Sequence, residues 1–236
     1  MQIGRRVLGA AAVLAGAVGL AFHQTWSPAS AMVHLGDVVL AAAGIGINLK
    51  GRWAVCSAIA LAVWAAVTLA LQAPKLAPHW NVWGTWQDVA ETAAVGLGAV
   101  IAWRMLLDRD GSDRIAWIAQ RLFGACLVVF GVSHFVYLDL TTPLVPKWLP
   151  PGAVFWAYAT GAAHIAAGLA IGSGVLAKRA AQLATAMYAI FGLMVWLPEV
   201  VKAPTSHDNW SETGVNWMLV GAAWCLADWL GRRRAE

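Results

Sequence analysis

The stretch of sequence that decides the fold is residues 53–71, WAVCSAIALAVWAAVTLAL, which carries no charged side chain. An α-helix rises about 1.5 Å per residue, so a helix of this length reaches across most of the roughly 30 Å hydrocarbon layer of a bilayer. The run is continuously apolar, whereas a membrane barrel strand would alternate apolar and polar residues. Similar runs cover residues 7–22, 31–49, 87–107, 115–137, 153–176, 180–197 and 213–230.

The composition of the whole chain agrees with this pattern. Hydrophobic residues make up 60% of the 236 residues and charged residues only 12%, and the mean hydropathy is +0.65. A chain this poor in charge cannot cover a water-exposed surface around a single core. The sequence therefore predicts an all-α integral membrane protein with eight transmembrane helices.

Lys and Arg are distributed unevenly between the two ends of these runs. Of the 16 basic residues, only Lys75, Lys147 and Lys202 fall on one side, and the other thirteen fall on the opposite side. Positively charged loops stay in the cytoplasm, so the asymmetry predicts that both termini are cytoplasmic. It also accounts for the net charge of +4. No basic stripe with interleaved aromatic residues occurs, so nucleic acid is not an expected partner.

Three residues of the loop after the third run recur 124 positions later, in the loop after the seventh run. Pro74, Trp86 and Asp88 are matched by Pro198, Trp210 and Glu212. Four runs separate the two loops, and this even number makes the second copy enter the membrane from the same side as the first. The sequence thus predicts two parallel four-helix repeats, residues 1–108 and 114–236, related by a pseudo-twofold axis along the membrane normal.

Residues 121–229 carry six short motifs: RLFG at 121–124, GVSHF at 131–135, LVPKWLP at 144–150, FWAY at 155–158, GAAHIAAG at 161–168 and WLP at 196–198. With these motifs the segment resembles the DoxX/SURF4-like family of four-helix membrane proteins. The first half of the chain lacks the LVPKWLP and HIAAG motifs, so we interpret it as a diverged copy. The resemblance implies a multi-pass protein of the bacterial cytoplasmic (inner) membrane.

The same resemblance implies several functions, because that family is mixed. Some relatives are membrane subunits of redox complexes such as thiosulfate:quinone oxidoreductase, and others are cargo receptors or receptor chaperones. Quinone is therefore an implied cofactor, and a soluble or extracytoplasmic redox protein is an implied partner. Fold analogy does not choose between these activities.

The most informative polar residue is His164, about eleven residues into the sixth run. An ionisable side chain inside the membrane is a functional candidate by default, although His164 could equally be a neutral packed histidine bonded to Tyr188 or a backbone carbonyl. Tyr188 is expected at a similar depth. We predict a ligand pocket at the extracytoplasmic mouth, lined by His134, Tyr158, His164, Tyr188 and Glu199.

A second candidate site is formed by His34 and Asp37, which lie one helical turn apart on the same face. A carboxylate inside the membrane is costly unless it is paired. The two residues are interpreted either as a structural pair or as a proton-handling or ligand site.

Bound haem and copper are not expected. A bis-histidine haem needs two imidazoles at matched depth, and counting residues from the helix ends separates His134 from His164 by roughly 14 Å along the membrane normal. No other paired ligand motif occurs, so no metal site is predicted.

The chain contains no Ser-His-Asp arrangement, phosphate loop or dinucleotide motif, so we do not expect it to catalyse a reaction alone, and no catalytic residue is assigned. The leading interpretation is a redox-associated membrane subunit that binds a quinone-like or lipid-like ligand. The alternatives are a non-catalytic assembly factor or cargo-binding protein, and a carrier of a small amphiphilic solute. The carrier is disfavoured because the apolar runs show no sign of interrupted helices.

Overall fold

A computed structural model of the protein describes residues 2–22, 28–107 and 113–232, and these residues form helices and connecting turns with no strand. The all-α prediction is confirmed. A π-helix, Gly192–Trp196, and two short 3₁₀ turns, Ala77–His79 and Thr142–Leu144, occur beside the α-helices. The helices are α1 Ile3–Phe22, α2 Pro28–Gly46, α3 Arg52–Leu76, α4 Trp83–Leu106, α5 Arg114–Val136, α6 Leu138–Thr141, α7 Ala153–Ser173, α8 Ala177–Phe191, α9 Leu197–Lys202 and α10 His207–Arg232.

Among the residues that the structure describes, six helical segments are long and apolar enough to cross a membrane, by length and composition. They are α1, residues 52–74 of α3, α4, α5, α7, and the continuous segment 177–202 that runs from α8 through α9. The sequence predicted eight spans. Of the other two predicted spans, α2 has a shorter apolar part, Ala31–Gly46, and α10 carries three carboxylates, Asp208, Glu212 and Asp228.

Large apolar side chains are widely exposed on the outside of the bundle. Leu169 is 62% exposed, Leu183 70% and Val201 72%. Water-soluble monomers rarely expose so many large apolar side chains. The exposed faces therefore support a lipid environment.

The long helices pack in a closed circuit. α1 packs against α2 and α10, and α5 packs against α7 and α4. α3 lies between α2 and α4, and α8 lies between α7 and α10. α4 and α10 also contact each other, so these two helices occupy the centre of the circuit.

Glycines let the helix pairs approach closely. A Cβ atom on Gly124 would lie 2.6 Å from the carbonyl oxygen of Gly168, and a Cβ on Gly9 would lie 2.7 Å from that of Gly44. Side chains of ordinary size cannot occupy these positions without moving the backbone. Small residues at such crossings allow van der Waals packing where no hydrophobic effect drives helices together in lipid.

Asp113 fixes the start of α5 and ties it to the end of α4. Its Oδ1 accepts hydrogen bonds from the backbone N–H groups of Ile115 (2.9 Å) and Ala116 (3.1 Å), and its Oδ2 lies 2.6 Å from a guanidinium nitrogen of Arg104. Burial alone would raise the pKa of the Asp113 carboxyl, but the hydrogen bonds from Arg104 and the two backbone N–H groups outweigh it and lower that pKa.

We expect Asp113→Ala to lower the free energy of unfolding by about 2 kcal/mol at pH 7, because it removes a helix cap and a charged hydrogen bond together. A carboxyl whose pKa is lowered by folding stabilises the protein above its unfolded pKa, near 4, and loses that effect as the pH falls through the folded pKa. Thermal unfolding in detergent should thus show a deficit at pH 7 that shrinks below about pH 4.

Asp139→Ala is the control, because Asp139 is exposed in the short helix α6. Surface substitutions of this kind usually change stability by less than about 0.5 kcal/mol. Equal melting temperatures for the two variants at pH 7 would contradict the role given to Asp113.

Candidate functional site

Three of the predicted pocket residues meet inside the bundle, each on a different helix. His134 lies in the last turn of α5, His164 in the middle of α7, and Tyr188 in the last turn of α8. The imidazole centroids of His134 and His164 are 5.0 Å apart, and the ring of Tyr188 is 5.5 Å from that of His164. His164 is 2% exposed and Tyr188 is 3% exposed, so the cluster is closed off from the surface except at His134, which is partly exposed.

The predicted 14 Å separation of His134 and His164 is wrong. A Cβ atom on Gly161 would lie 2.8 Å from the Cβ of His134. Gly161 is well inside α7, whereas His134 is close to the end of α5. The start of α7 therefore extends beyond the end of α5, and the two helix ends are not at the same depth. Side chains also lean toward the N-terminus of their own helix. Because α5 and α7 are antiparallel, the two imidazoles lean toward each other.

The ring of His134 thus lies slightly closer to His164, at 5.0 Å, than the ring of Tyr188 does, at 5.5 Å. Aromatic side chains complete the surroundings. The ring of His164 lies 6.1 Å from that of Phe130, edge to face, and 6.1 Å from that of Phe191. The cluster is thus a small polar centre with aromatic walls.

Thr160 holds both imidazoles. Nδ1 of His164 lies 2.9 Å from the backbone carbonyl oxygen of Thr160, and Nδ1 of His134 lies 3.2 Å from the Thr160 hydroxyl. That hydroxyl also donates to the carbonyl of Trp156 at 2.7 Å. The sequence analysis missed Thr160, although its position four residues before His164 puts both residues on one helix face.

The hydroxyl of Tyr188 is buried, and the described residues offer it no hydrogen-bond partner. A polar group removed from water without a partner is costly. By contrast the backbone carbonyl of Tyr188 accepts a hydrogen bond from Nδ2 of Asn216 at 3.0 Å, on the neighbouring α10. The hydrogen bond from Asn216 therefore positions the backbone of Tyr188, and the Tyr188 hydroxyl is not used in this contact.

The π-helix that follows α8 begins directly after Phe191, one of the walls of the cluster. A Cβ atom on Gly192 would lie 2.8 Å from Nδ2 of Asn216, so this position also requires a small residue. Such π segments occur frequently at functional sites. The seventh apolar run stays helical throughout, but its helical pitch changes beside the cluster.

Two predicted pocket residues lie elsewhere. Tyr158 is 45% exposed, and its ring packs against Phe135 at 5.6 Å on the outside of α5 and α7. Glu199 forms an exposed ion pair with Lys202, with 2.6 Å between Oε1 and Nζ. The structure does not bring either residue to His164.

The second candidate site lies at the contact of α1 with α2. His34 is 1% exposed, and the Asp37 carboxylate packs against Gly19, where a Cβ atom would clash with it. Asp37 has its backbone carbonyl beside Gly16, so this turn of α2 is pressed against α1. His23, near the same end of α1, lies outside the described residues.

A cavity of about 230 Å³ lies between α3, α4 and α10, and the sequence analysis did not find it. Polar and apolar side chains both line it. The lining residues are Trp64, Gln72, Asp88, Glu91, Thr92, Val95, Val215 and Met218. They come from three separate helices, and no local spacing signal links them.

No group of three or more His, Cys, Asp or Glu side chains placed to hold a metal ion occurs within residues 2–22, 28–107 and 113–232. The two imidazoles of the cluster are nonetheless adjacent, so the depth argument against pairing them no longer stands.

Residues 123–229, which run from α5 through most of α10, match the family model described as Domain of unknown function (DUF8561). The matched segment contains every residue of the His134–His164–Tyr188 cluster. No curated protein and no solved structure matches the chain.

Proposed function

We propose that eight helical segments cross the bacterial cytoplasmic (inner) membrane as two parallel four-helix repeats, residues 1–108 and 114–236. The segments are α1, α2, α3 and α4 in the first repeat, and α5, α7, residues 177–202 and α10 in the second. The contacts between helices support this architecture. The packed pairs α1–α2, α2–α3, α3–α4 and α1–α10 correspond, one repeat later, to the packed pairs α5–α7, α7–α8, α8–α10 and α5–α4. The loops support it as well. The indole of Trp86 donates to the carbonyl of Trp80, and that of Trp210 donates to the carbonyl of Pro204, both at 2.9 Å and 124 residues apart.

Both termini of this arrangement are cytoplasmic, because the thirteen-to-three distribution of Lys and Arg follows the positive-inside rule. The His134–His164–Tyr188 cluster then lies in the half of the membrane nearer the extracytoplasmic side. The resemblance to DoxX/SURF4-like proteins is in keeping with this location.

The function that the geometry supports best is that of a redox-associated membrane subunit with a quinone-like or lipid-like ligand at this cluster. The observation that carries the proposal is the buried Tyr188 hydroxyl, which has no partner in the part of the chain that the structure describes and lies beside two imidazoles in an aromatic shell. Ligand sites are typically apolar with a few convergent polar groups. Phe130 and Phe191 supply the apolar walls, and the imidazoles and phenol supply the polar groups. Partly exposed His134 marks the point of access.

The test is co-purification in mild detergent followed by mass spectrometry of the bound quinones and lipids. We expect one ligand species to be retained by the wild-type protein at close to one equivalent, and to fall about tenfold in Tyr188→Phe, because one hydrogen bond contributes about 1.4 kcal/mol. His164→Leu should lose it almost completely.

Tyr158→Phe is the matched control, since it removes the same hydroxyl from a tyrosine outside the cluster. Size-exclusion profiles must show that each variant is folded. Equal ligand retention by Tyr188→Phe, Tyr158→Phe and the wild-type protein would overturn the site and favour a non-catalytic assembly role.

A further inference from the structure

The hydrogen bonds of the cluster determine which nitrogen of each imidazole carries the proton. Nδ1 of His164 faces the Thr160 carbonyl at 2.9 Å. A carbonyl oxygen can only accept a hydrogen bond, so Nδ1 of His164 is the donor and carries the hydrogen.

The same assignment follows for His134 in two steps. The single hydroxyl proton of Thr160 faces two backbone carbonyl oxygens, that of Trp156 at 2.7 Å and that of Ala157 at 3.2 Å. The Thr160 oxygen can then only accept from Nδ1 of His134, which lies 3.2 Å away. Nδ1 of His134 is therefore a donor as well.

A neutral imidazole has one N–H, so in the neutral form of each ring Nε2 presents a lone pair. His164 is buried among aromatic rings, where an unpaired charge would be very costly, and the neutral form follows. The hydrogen bonds that orient the two rings both use Nδ1, so they do not engage the Nε2 lone pairs. The polar centre thus offers two acceptors, and the Tyr188 hydroxyl, which can donate or accept.

We propose that the cluster selects a ligand whose polar head donates hydrogen bonds, namely a hydroxyl group on an apolar body, such as a hydroquinone, over the corresponding carbonyl compound. This inference rests on the proposed ligand site. A hydroquinone hydroxyl donates to Nε2, and the Tyr188 hydroxyl donates to a hydroquinone oxygen. A quinone carbonyl has no hydrogen to give, so it would face the Nε2 lone pairs without bonding to them.

Sites built to hydrogen-bond a hydroxyl group reject analogues that lack it, because their own polar groups are then left unpaired. The loss of binding affinity is larger when two acceptors are left unpaired, because each contributes its own cost. We therefore expect a preference of at least about tenfold for the hydroxyl form, corresponding to one hydrogen bond.

The experiment compares four probes on the full-length protein in lipid nanodiscs by anaerobic isothermal titration. Duroquinol carries the hydroxyl groups, duroquinone carries carbonyls, and the dimethyl ether of duroquinol keeps the shape without a donor. Dioctanoylglycerol presents an aliphatic hydroxyl and distinguishes a lipid alcohol from a hydroquinone. We expect a hydroxyl probe to bind about tenfold more tightly than duroquinone and the ether.

Because this comparison uses the wild-type chain, it does not depend on a variant that folds. His164→Gln is a secondary check, and it should reduce the preference to about threefold or less, while Tyr158→Phe should keep it. Duroquinone binding as tightly as duroquinol or more tightly would overturn donor selection and leave the ligand site standing. Binding of no probe, together with no co-purified ligand, would overturn both.

Discussion

Gly168→Leu is expected to prevent α7 from packing against α5 and to eliminate the folded protein. A Cβ atom at this position would lie 2.5 Å from the carbonyl oxygen of Gly124 and 2.9 Å from the backbone nitrogen of Val128. Both are backbone atoms of a helix and cannot move aside as a flexible side chain would. We expect a loss of more than about 3 kcal/mol, at the upper end of what overpacking costs.

Gly172→Leu is the matched control, one turn further along the same helix. The nearest atom to a Cβ at Gly172 is the carbonyl oxygen of Arg121, 4.0 Å away, which is an ordinary contact. Fluorescence-detected size-exclusion chromatography and thermal unfolding should show a folded protein for this variant and aggregated or absent protein for Gly168→Leu. Similar behaviour of the two variants would contradict the close α5–α7 contact.

The second prediction with a large effect concerns the membrane topology. The activity of a reporter fused at a given position should be either fully present or absent. Alkaline phosphatase, which is active only outside the cytoplasm, is expected to be inactive when fused after Glu236 and active when inserted in the loop between Pro74 and Trp86. The reason is the concentration of basic residues at the opposite ends of the helices. Fusions to green fluorescent protein, which fluoresces in the cytoplasm, should give the reciprocal result.

The opposite pattern of activities would overturn the proposed orientation and move the histidine cluster to the cytoplasmic side. Activity at both positions, or at neither, would mean that an even number of spans lies between the loop and Glu236, and would contradict the eight-span architecture, which places five spans there.

The sequence was sufficient to predict the helical class, because continuous apolar runs such as residues 53–71 have a length set by the bilayer. It also identified His134, His164 and Tyr188 by the cost of burying polar groups in lipid. It failed on their arrangement. Depth was counted from helix ends that were assumed to be level, whereas the segment before α7 lets that helix begin beyond the end of α5.

The features that remained hidden depend on contacts between distant segments. The π-helix beside Phe191 is accompanied by the contact of Gly192 with Asn216, 24 residues further along the chain. The cavity beside Trp64 is formed by three helices. Neither the π-helix nor the cavity produces a periodic pattern in the sequence, so neither could be predicted from the sequence alone.

The packing of α1 against α10 has a consequence for how the protein is made. Gly4 lies against the backbone of Cys225 and Gly221 against that of Leu8, so the first helix finds one of its two main partners only in the last. During synthesis α1 leaves the ribosome long before α10 exists. The face of α1 that carries Gly4, Leu8 and Ala15 must therefore be covered by lipid or by the insertion machinery until α10 has been translated.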